Sequence, residues 1–210
     1  LPETPRDIRL GLTRAEDTAF PLRWGIIGAG DISRQWALAS GECAGASIAA
    51  VAARDGDDAV AFAAALGIER AYGGYEQLLA APDIDAVYIG TIDRLHKEHS
   101  LMAIAAGKHV LCEKPIALNA DEASQLLEVQ KDTGVLIVEA FMVRDNPQWL
   151  WVQEQVKYGE IGELRAIQSA FSYMNRDPQN IRNMPDIGGG GIYDIGCYPV
   201  FISRMVFGEE

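Results

Sequence analysis

Residues 23–40 read RWGIIGAGDISRQWALAS, and this stretch decides the fold. RWGIIG is short, apolar and carries β-branched isoleucines, the texture of a buried strand. Gly28-Ala29-Gly30 follows at once, and Asp31 opens a stretch of helical character. A strand that turns on glycines straight into a helix is the phosphate-binding half of a βαβ unit. Gly28 permits a tight turn, and Gly30 lets a pyrophosphate approach the backbone. A helix beginning with Asp31 and Ile32 offers free N–H groups and partial positive charge to an anion. Ser33 stands where a third glycine is usual and is small enough for close helix–strand packing. SIAAVAA at 47–53 completes a unit of the required ~30 residues.

The alternation continues outward. The pattern predicts an Ala-rich helix over 57–66, a link at 71–74, a short helix at 75–80 and a strand within IDAVYIG, 84–90. A helix over 96–107 follows, then the strand KHVLCE (108–113), a helix over 119–133, the strand GVLIVEAF (134–141) and a helix over 147–159. Strands alternating with helices imply a doubly wound parallel sheet with helices on both faces. After Gly159 the texture changes. Residues 163–173, ELRAIQSAFSY, alternate as a half-exposed strand would. A polar loop, the glycines Gly188 to Gly191 and an apolar segment over 194–207 follow. The predicted organisation is an arm or leader at 1–22, an α/β dinucleotide-binding Rossmann domain at 23–159, and the start of an α+β domain at 160–210.

With 210 residues, 49% hydrophobic and 23% charged, the chain is neither disordered, collagen-like nor a coiled coil. Its net charge of -12 argues against nucleic acid and anionic membranes as partners. No apolar run reaches the ~18 residues of a membrane span. Three cysteines make no disulfide framework, which suits a reducing compartment: the cytoplasm is expected, with the periplasm left open.

Several side chains stand where chemistry is expected. Strand two ends Ala52-Ala53-Arg54-Asp55. A guanidinium there can pair with a 2′-phosphate, favouring NADP over NAD. Asp55 is either a ribose partner or a helix N-cap. Cys112-Glu113-Lys114-Pro115 ends a buried strand, and strand C-termini face the ligand crevice. Lys114 can hydrogen-bond a reacting hydroxyl there. Asp194 and Tyr198 share one face of a regular helix, although Pro199 removes the bond to the Ile195 carbonyl and predicts a bend. Arg144 and Arg182 are candidates for substrate hydroxyls. His96 and His99 are three residues apart, but no metal site is expected from them.

These segments in this order, with VAARD at 51–55, CEKP at 112–115 and YDIGCY at 193–198, resemble the Gfo/Idh/MocA oxidoreductase family. The resemblance is strongest to its branch of NADP-dependent sugar dehydrogenases, dimeric dihydrodiol dehydrogenase and glucose–fructose oxidoreductase. It implies Lys114 beside the nicotinamide and the reacting carbon, Glu113 near the nicotinamide ribose, and a cis Lys114–Pro115 bond. Thr91, Leu95 and His96 would line the cofactor, although the usual Thr-Pro-Asn is Thr91-Ile92-Asp93 here. Tyr198, where many members carry histidine, would exchange the substrate proton, its pKa lowered by Lys114. Asp194 would orient the pair or bind a further hydroxyl. Either Lys114 or Tyr198 is then the principal acid–base.

The resemblance implies an NADP-dependent oxidoreductase acting on a secondary hydroxyl or carbonyl of a sugar, polyol or trans-dihydrodiol. A non-catalytic dinucleotide sensor, or an enzyme with a tightly held recycled cofactor, is the alternative. The second domain would be an open, mostly antiparallel sheet that also joins subunits into a homo-oligomer. Only residues 163–173 and 194–207 would belong to it, so the chain reads as truncated. Alone it is expected to expose apolar strand edges and to be poorly soluble or inactive.

Overall fold

The computed structural model describes residues 21–43 and 45–208. The expected arm at 1–22 lies outside them, apart from its last two residues. Six parallel strands form one sheet: β1 (Leu22–Ile27), β2 (Ala46–Ala52), β3 (Arg70–Tyr72), β4 (Ala86–Ile89), β5 (His109–Glu113) and β6 (Ile137–Ala140). Their spatial order is β3-β2-β1-β4-β5-β6. This is the doubly wound order, with its switch point between β1 and β4. The helices between them are α1 (Asp31–Ser40), α2 (Gly56–Leu66), α3 (Tyr75–Leu79), α4 (His96–Ala105) and α5 (Ala120–Thr133). Beyond the sheet come α6 (Pro147–Lys157) and α7 (Cys197–Phe207).

Successive strand residues point to opposite faces, so Ile26 and Ile27, both fully buried, enter different cores. Ile27 joins Leu78, Val87, Ile89, Ile104 and Leu126 under α3, α4 and α5. Ile26 joins Val51, Phe62 and Tyr88 under α1 and α2. On that second face Trp36 of α1 stacks on Tyr88, with centroids 4.4 Å apart, and meets Trp24 edge to face. Every residue of β4 is buried, as a central strand covered on both faces requires.

The segment between α3 and β4 is pinned by three cations. Arg70 forms a two-pronged pair with Asp83, and Arg23 pairs with Asp85 through side chain and backbone. Lys108, only 8% exposed, donates to the Ala81 and Ile84 carbonyls at 2.8 Å each. A buried ammonium is tolerated because those carbonyls replace its water.

Three expectations are corrected. Residues 70–72 form a short edge strand rather than only a link, because β2 offers Ala50, Val51 and Ala52 as partners. Residues 163–173 form no strand, and no antiparallel pairing occurs among the described residues. An alternating pattern makes a strand only where a neighbour supplies the ladder, and none lies alongside. The bend expected at Pro199 is a wide π-type turn, Ile192–Gly196, leading into α7. Pro199, in α7, follows this turn and has no N–H to bond back to it; the Asp194 carbonyl accepts from Lys114 Nζ instead. Asp194 and Tyr198 therefore sit on different elements rather than on one regular helix.

Replacing Lys108 with methionine leaves two carbonyls without their donor. We expect a loss of about 1–3 kcal/mol in chemical denaturation; an unchanged midpoint would contradict this account of the α3–β4 segment.

Candidate functional site

The site lies at the carboxyl ends of β1, β4 and β5. Gly28, leaving β1, has φ +99°. A Cβ there would sit 2.9 Å from the Thr91 methyl, so only glycine allows this turn and this contact. Gly30 begins α1 without a capping side chain, whereas Asp55, Asn119 and Asn146 cap α2, α5 and α6. The first helical bond of α1 runs from the Arg34 N–H to the Gly30 carbonyl. The N–H groups of Asp31, Ile32 and Ser33 precede it and have no intrahelical acceptor. A Cβ on Gly30 would meet nothing nearer than 3.9 Å, so the backbone is open to a close ligand. These features fit a phosphate-bearing cofactor.

Ile32, Thr91, Asp93, Glu113, Lys114, Arg182 and Asp194 line one cleft. The Lys114–Pro115 bond is cis. Glu113 is set by two donors: the Tyr88 hydroxyl reaches Oε1 at 2.6 Å, and the Lys114 N–H reaches Oε2 at 3.2 Å. Lys114 Nζ donates to the Asp194 carbonyl at 2.7 Å and to its Oδ1 at 3.3 Å. Arg182 Nε donates to the same Oδ1 at 3.1 Å, and the Tyr173 hydroxyl donates to Oδ2. Burial pushes the Asp194 acid up. The Tyr173 hydrogen bond and the Lys114 and Arg182 charges outweigh it and hold the carboxyl below its usual value.

Tyr198 lies in α7 and is not among the cleft-lining residues. Its ring stacks on Phe141 at 4.9 Å, with Lys114 Nζ 5.5 Å from its centroid. Its pKa is raised above the ordinary phenol value, first by burial and then by the Cys197, Glu113 and Asp194 charges. The expected lowering by Lys114 is therefore overturned: the ammonium lies near the ring and bonds to Asp194. Asp93 also lines the cleft. Burial raises its pKa, against the opposing charges of His96 and Lys114.

The other expected residues divide. His96 is 1% exposed, with Nδ1 2.7 Å from the Pro115 carbonyl and Nε2 3.0 Å from the Thr91 carbonyl. It stands behind the cleft wall, joining the β4 and β5 termini. Leu95 ends the short turn before α4 and is not among the cleft-lining residues. Arg54 is exposed beyond β2, with its charge felt by Tyr75. Asp55 caps α2 by accepting from the Asp57 N–H. Arg144 lies over Phe201, away from the cleft lining. Cys112, buried beneath Glu113, has its thiol pushed up to about 12 by burial, which suits packing rather than reactivity.

Sequence reasoning missed Tyr88, Tyr173 and His99, each of which bonds to a cleft residue. Tyr88 reads as part of a buried strand, His99 is weighed only with His96 as a metal pair, and Tyr173 reads as a strand end. Gly188, read only as one of four glycines, has φ +94° and a Cβ position 2.8 Å from the Asp93 Cβ. Gly189 packs as closely on the backbone of Ile181 and Met184, and Gly190 has φ +133°.

Known proteins resemble this chain in sequence and fold. Residues 22–141 match the family described as "Oxidoreductase family, NAD-binding Rossmann fold", and residues 149–210 match the "GFO/IDH/MocA C-terminal domain". An uncharacterized oxidoreductase, ORF334 of Rhizobium meliloti, is 47% identical over 190 residues, 90% of this chain and 57% of that protein. D-xylose 1-dehydrogenase (NADP(+)) 2 of Haloferax volcanii is 38% identical over 188 residues, 89% of this chain and 58% of that protein. The solved structure of KijD10, a 3-ketoreductase from Actinomadura kijaniata in complex with NADP and TDP-benzene, superposes with a TM-score of 0.84 at 35% identity, covering 89% of this chain and 57% of that one. The chain thus spans a little over half the length of these relatives. The glycine turn, the sheet order and the family match over 22–141 agree, and the chain belongs to the Gfo/Idh/MocA oxidoreductase family.

Proposed function

We propose that the protein is an NADP-dependent oxidoreductase acting on a secondary hydroxyl or carbonyl of a sugar, polyol or trans-dihydrodiol. One observation carries this reading: Lys114 Nζ, at the end of β5, stands in the same cleft as Ile32, beside the uncapped start of α1. A cation able to bind a substrate oxygen therefore sits next to a cradle for phosphate. In this reading Gly28, Gly30, Asp31 and Ile32 hold the pyrophosphate, Arg54 meets a 2′-phosphate, and Thr91, Glu113 and Lys114 line the nicotinamide end. Residues 23–159 form the dinucleotide-binding domain, and 160–210 open the substrate domain through which copies associate. The acidic chain and its free cysteines suit a cytoplasmic protein that takes small hydroxylated substrates.

The bound nicotinamide supplies the hydride donor or acceptor. The chain's own residues handle the oxygen and its proton. Lys114 Nζ donates a hydrogen bond to the reacting oxygen, exchanging it for part of its contact with Asp194. Asp194, held as a carboxylate, orients Lys114 and Arg182, and Arg182 bonds a further substrate hydroxyl. The Tyr198 hydroxyl, kept protonated at neutral pH, gives its proton to the oxygen during carbonyl reduction and receives one during alcohol oxidation. Because its pKa is raised, reduction is favoured near neutrality, and oxidation gains rate as pH rises towards and beyond 10.

Fluorescence titration with NADPH and NADH, followed by a turnover screen of aldoses, inositols and diols, tests the reading directly. NADPH should bind more tightly than NADH, and Lys114→Ala should lower kcat by about 10²–10⁴-fold. Full activity in that variant would defeat the mechanism, and dinucleotide binding without turnover of any of these substrates would favour a sensor.

For alcohol oxidation, log kcat should climb with pH between 7 and 10. Tyr198→Phe should flatten that rise; a rise that persists would transfer the acid–base role to Lys114.

Tyr88→Phe keeps the stack on Trp36 but removes the hydrogen bond to Glu113. The expected result is a rise of about 3–10-fold in the KM for NADP, corresponding to one ordinary hydrogen bond. An unchanged KM would remove Glu113 from the cofactor site.

A further inference from the structure

We propose that His99 is a positioning residue of the dinucleotide site, acting through the hydroxyl of Thr91 and giving cofactor binding an acid limit. The inference rests on the cofactor reading above.

His99 lies in α4, 5% exposed, with Nδ1 3.0 Å from Thr91 Oγ1. Its ring meets Tyr75 of α3 edge to face at 4.7 Å. Burial, reinforced by the charge of His96, holds its pKa below the ordinary histidine value, against the opposing charges of Glu98 and Glu76. The ring is therefore neutral at pH 7 and can accept a hydrogen bond. Tyr75 and Glu76 from α3, His96 and Glu98 from α4, and Thr91 from the β4–α4 turn are the groups that face it.

Thr91 explains why this matters. Its carbonyl is engaged by His96 Nε2, and its methyl lies against Gly28 of the phosphate-binding turn. Among the described residues, the one acceptor within reach of its hydroxyl proton is His99 Nδ1. The proton is committed to that nitrogen, which makes His99 the Nε2–H tautomer. Thr91 then holds one rotamer, its methyl under Gly28 and its oxygen free to accept an N–H from a ligand in the cleft it lines. When His99 gains a proton, Nδ1 becomes a donor. One of the two lone pairs of the Thr91 hydroxyl is then taken by His99, and its own proton, with no other acceptor among the described residues, turns towards the cleft, where it opposes a ligand N–H.

The test measures the Kd of NADPH by fluorescence from pH 5 to 8, with NADH as a control because it lacks the titrating 2′-phosphate. Wild-type affinity for both dinucleotides should fall several-fold between pH 7 and 5. His99→Asn, which keeps an acceptor but cannot titrate, should preserve affinity at pH 7 and flatten the NADH profile. His99→Leu should weaken binding about 3–10-fold across the range. Adding Thr91→Val to it should cost less than the same change costs in the wild type, since the two changes share the His99–Thr91 interaction. A His99→Leu protein with wild-type affinity and pH profile overturns the proposal, as do additive effects of the two changes. Histidine ¹⁵N shifts of the dinucleotide-free protein give a separate reading: the Nε2–H tautomer is expected, and a His99 Nδ1–H tautomer overturns the proposal. If the wild type binds neither dinucleotide, the cofactor reading falls, and the proposal with it, whatever the tautomer.

Discussion

Among the described glycines, the one with the least room for a side chain lies at the switch point of the sheet, and the site is built around it. A Cβ on Gly90, just beyond β4, would lie 2.2 Å from Ser33 Oγ of α1 and 3.0 Å from Tyr88 Cε1. One on Gly28 would meet Thr91. Two glycines therefore let the start of α1 rest directly on the end of β4. The uncapped N–H groups of α1 and the cleft residues after β4 share one wall for that reason. Any side chain at Gly90 would displace the Ser33 hydroxyl and press on the Tyr88 ring, disturbing the seat of α1 on β4.

A second constraint ties the late part of the chain to the sheet. Asp194 accepts from Lys114, Arg182 and Tyr173, which come from β5, the polar loop and the end of the segment 163–173. A carboxylate is costly to bury alone but stable with three donors. That arrangement places Lys114 Nζ where it points out of the sheet edge. It also explains how a chain of net charge -12 keeps cations in its cleft: each is held by a local acid, and the overall field decides little at that range.

Much of the site was legible because its signals are local. The glycine turn and the Glu113-Lys114-Pro115 turn are each defined by a few consecutive residues whose position at a strand end follows from periodicity. Tyr88 and Tyr173 were not legible in the same way. Tyr88 lies in an apolar run and counts as core by pattern; its hydroxyl is useful only because β5 places Glu113 beside it. The raised pKa of Tyr198 was equally hidden, since it comes first from burial and then from the charges of the neighbouring Cys197 and of Glu113 and Asp194, which only the fold gathers around the ring.

The sequence by itself determined the alternation of strands and helices, the parallel sheet, the phosphate-binding turn and the identity of Lys114 as a cleft residue. These follow from spacing and backbone preference, which act over a few residues. The tertiary structure decided which groups meet across distance: that residues 163–173 find no strand to pair with, that Asp55 caps α2, that His96 joins two strand ends, and that His99 holds Thr91. Burial, donor counts and charge pairing are properties of neighbours in space, and a chain order does not contain them until the fold has brought those neighbours together.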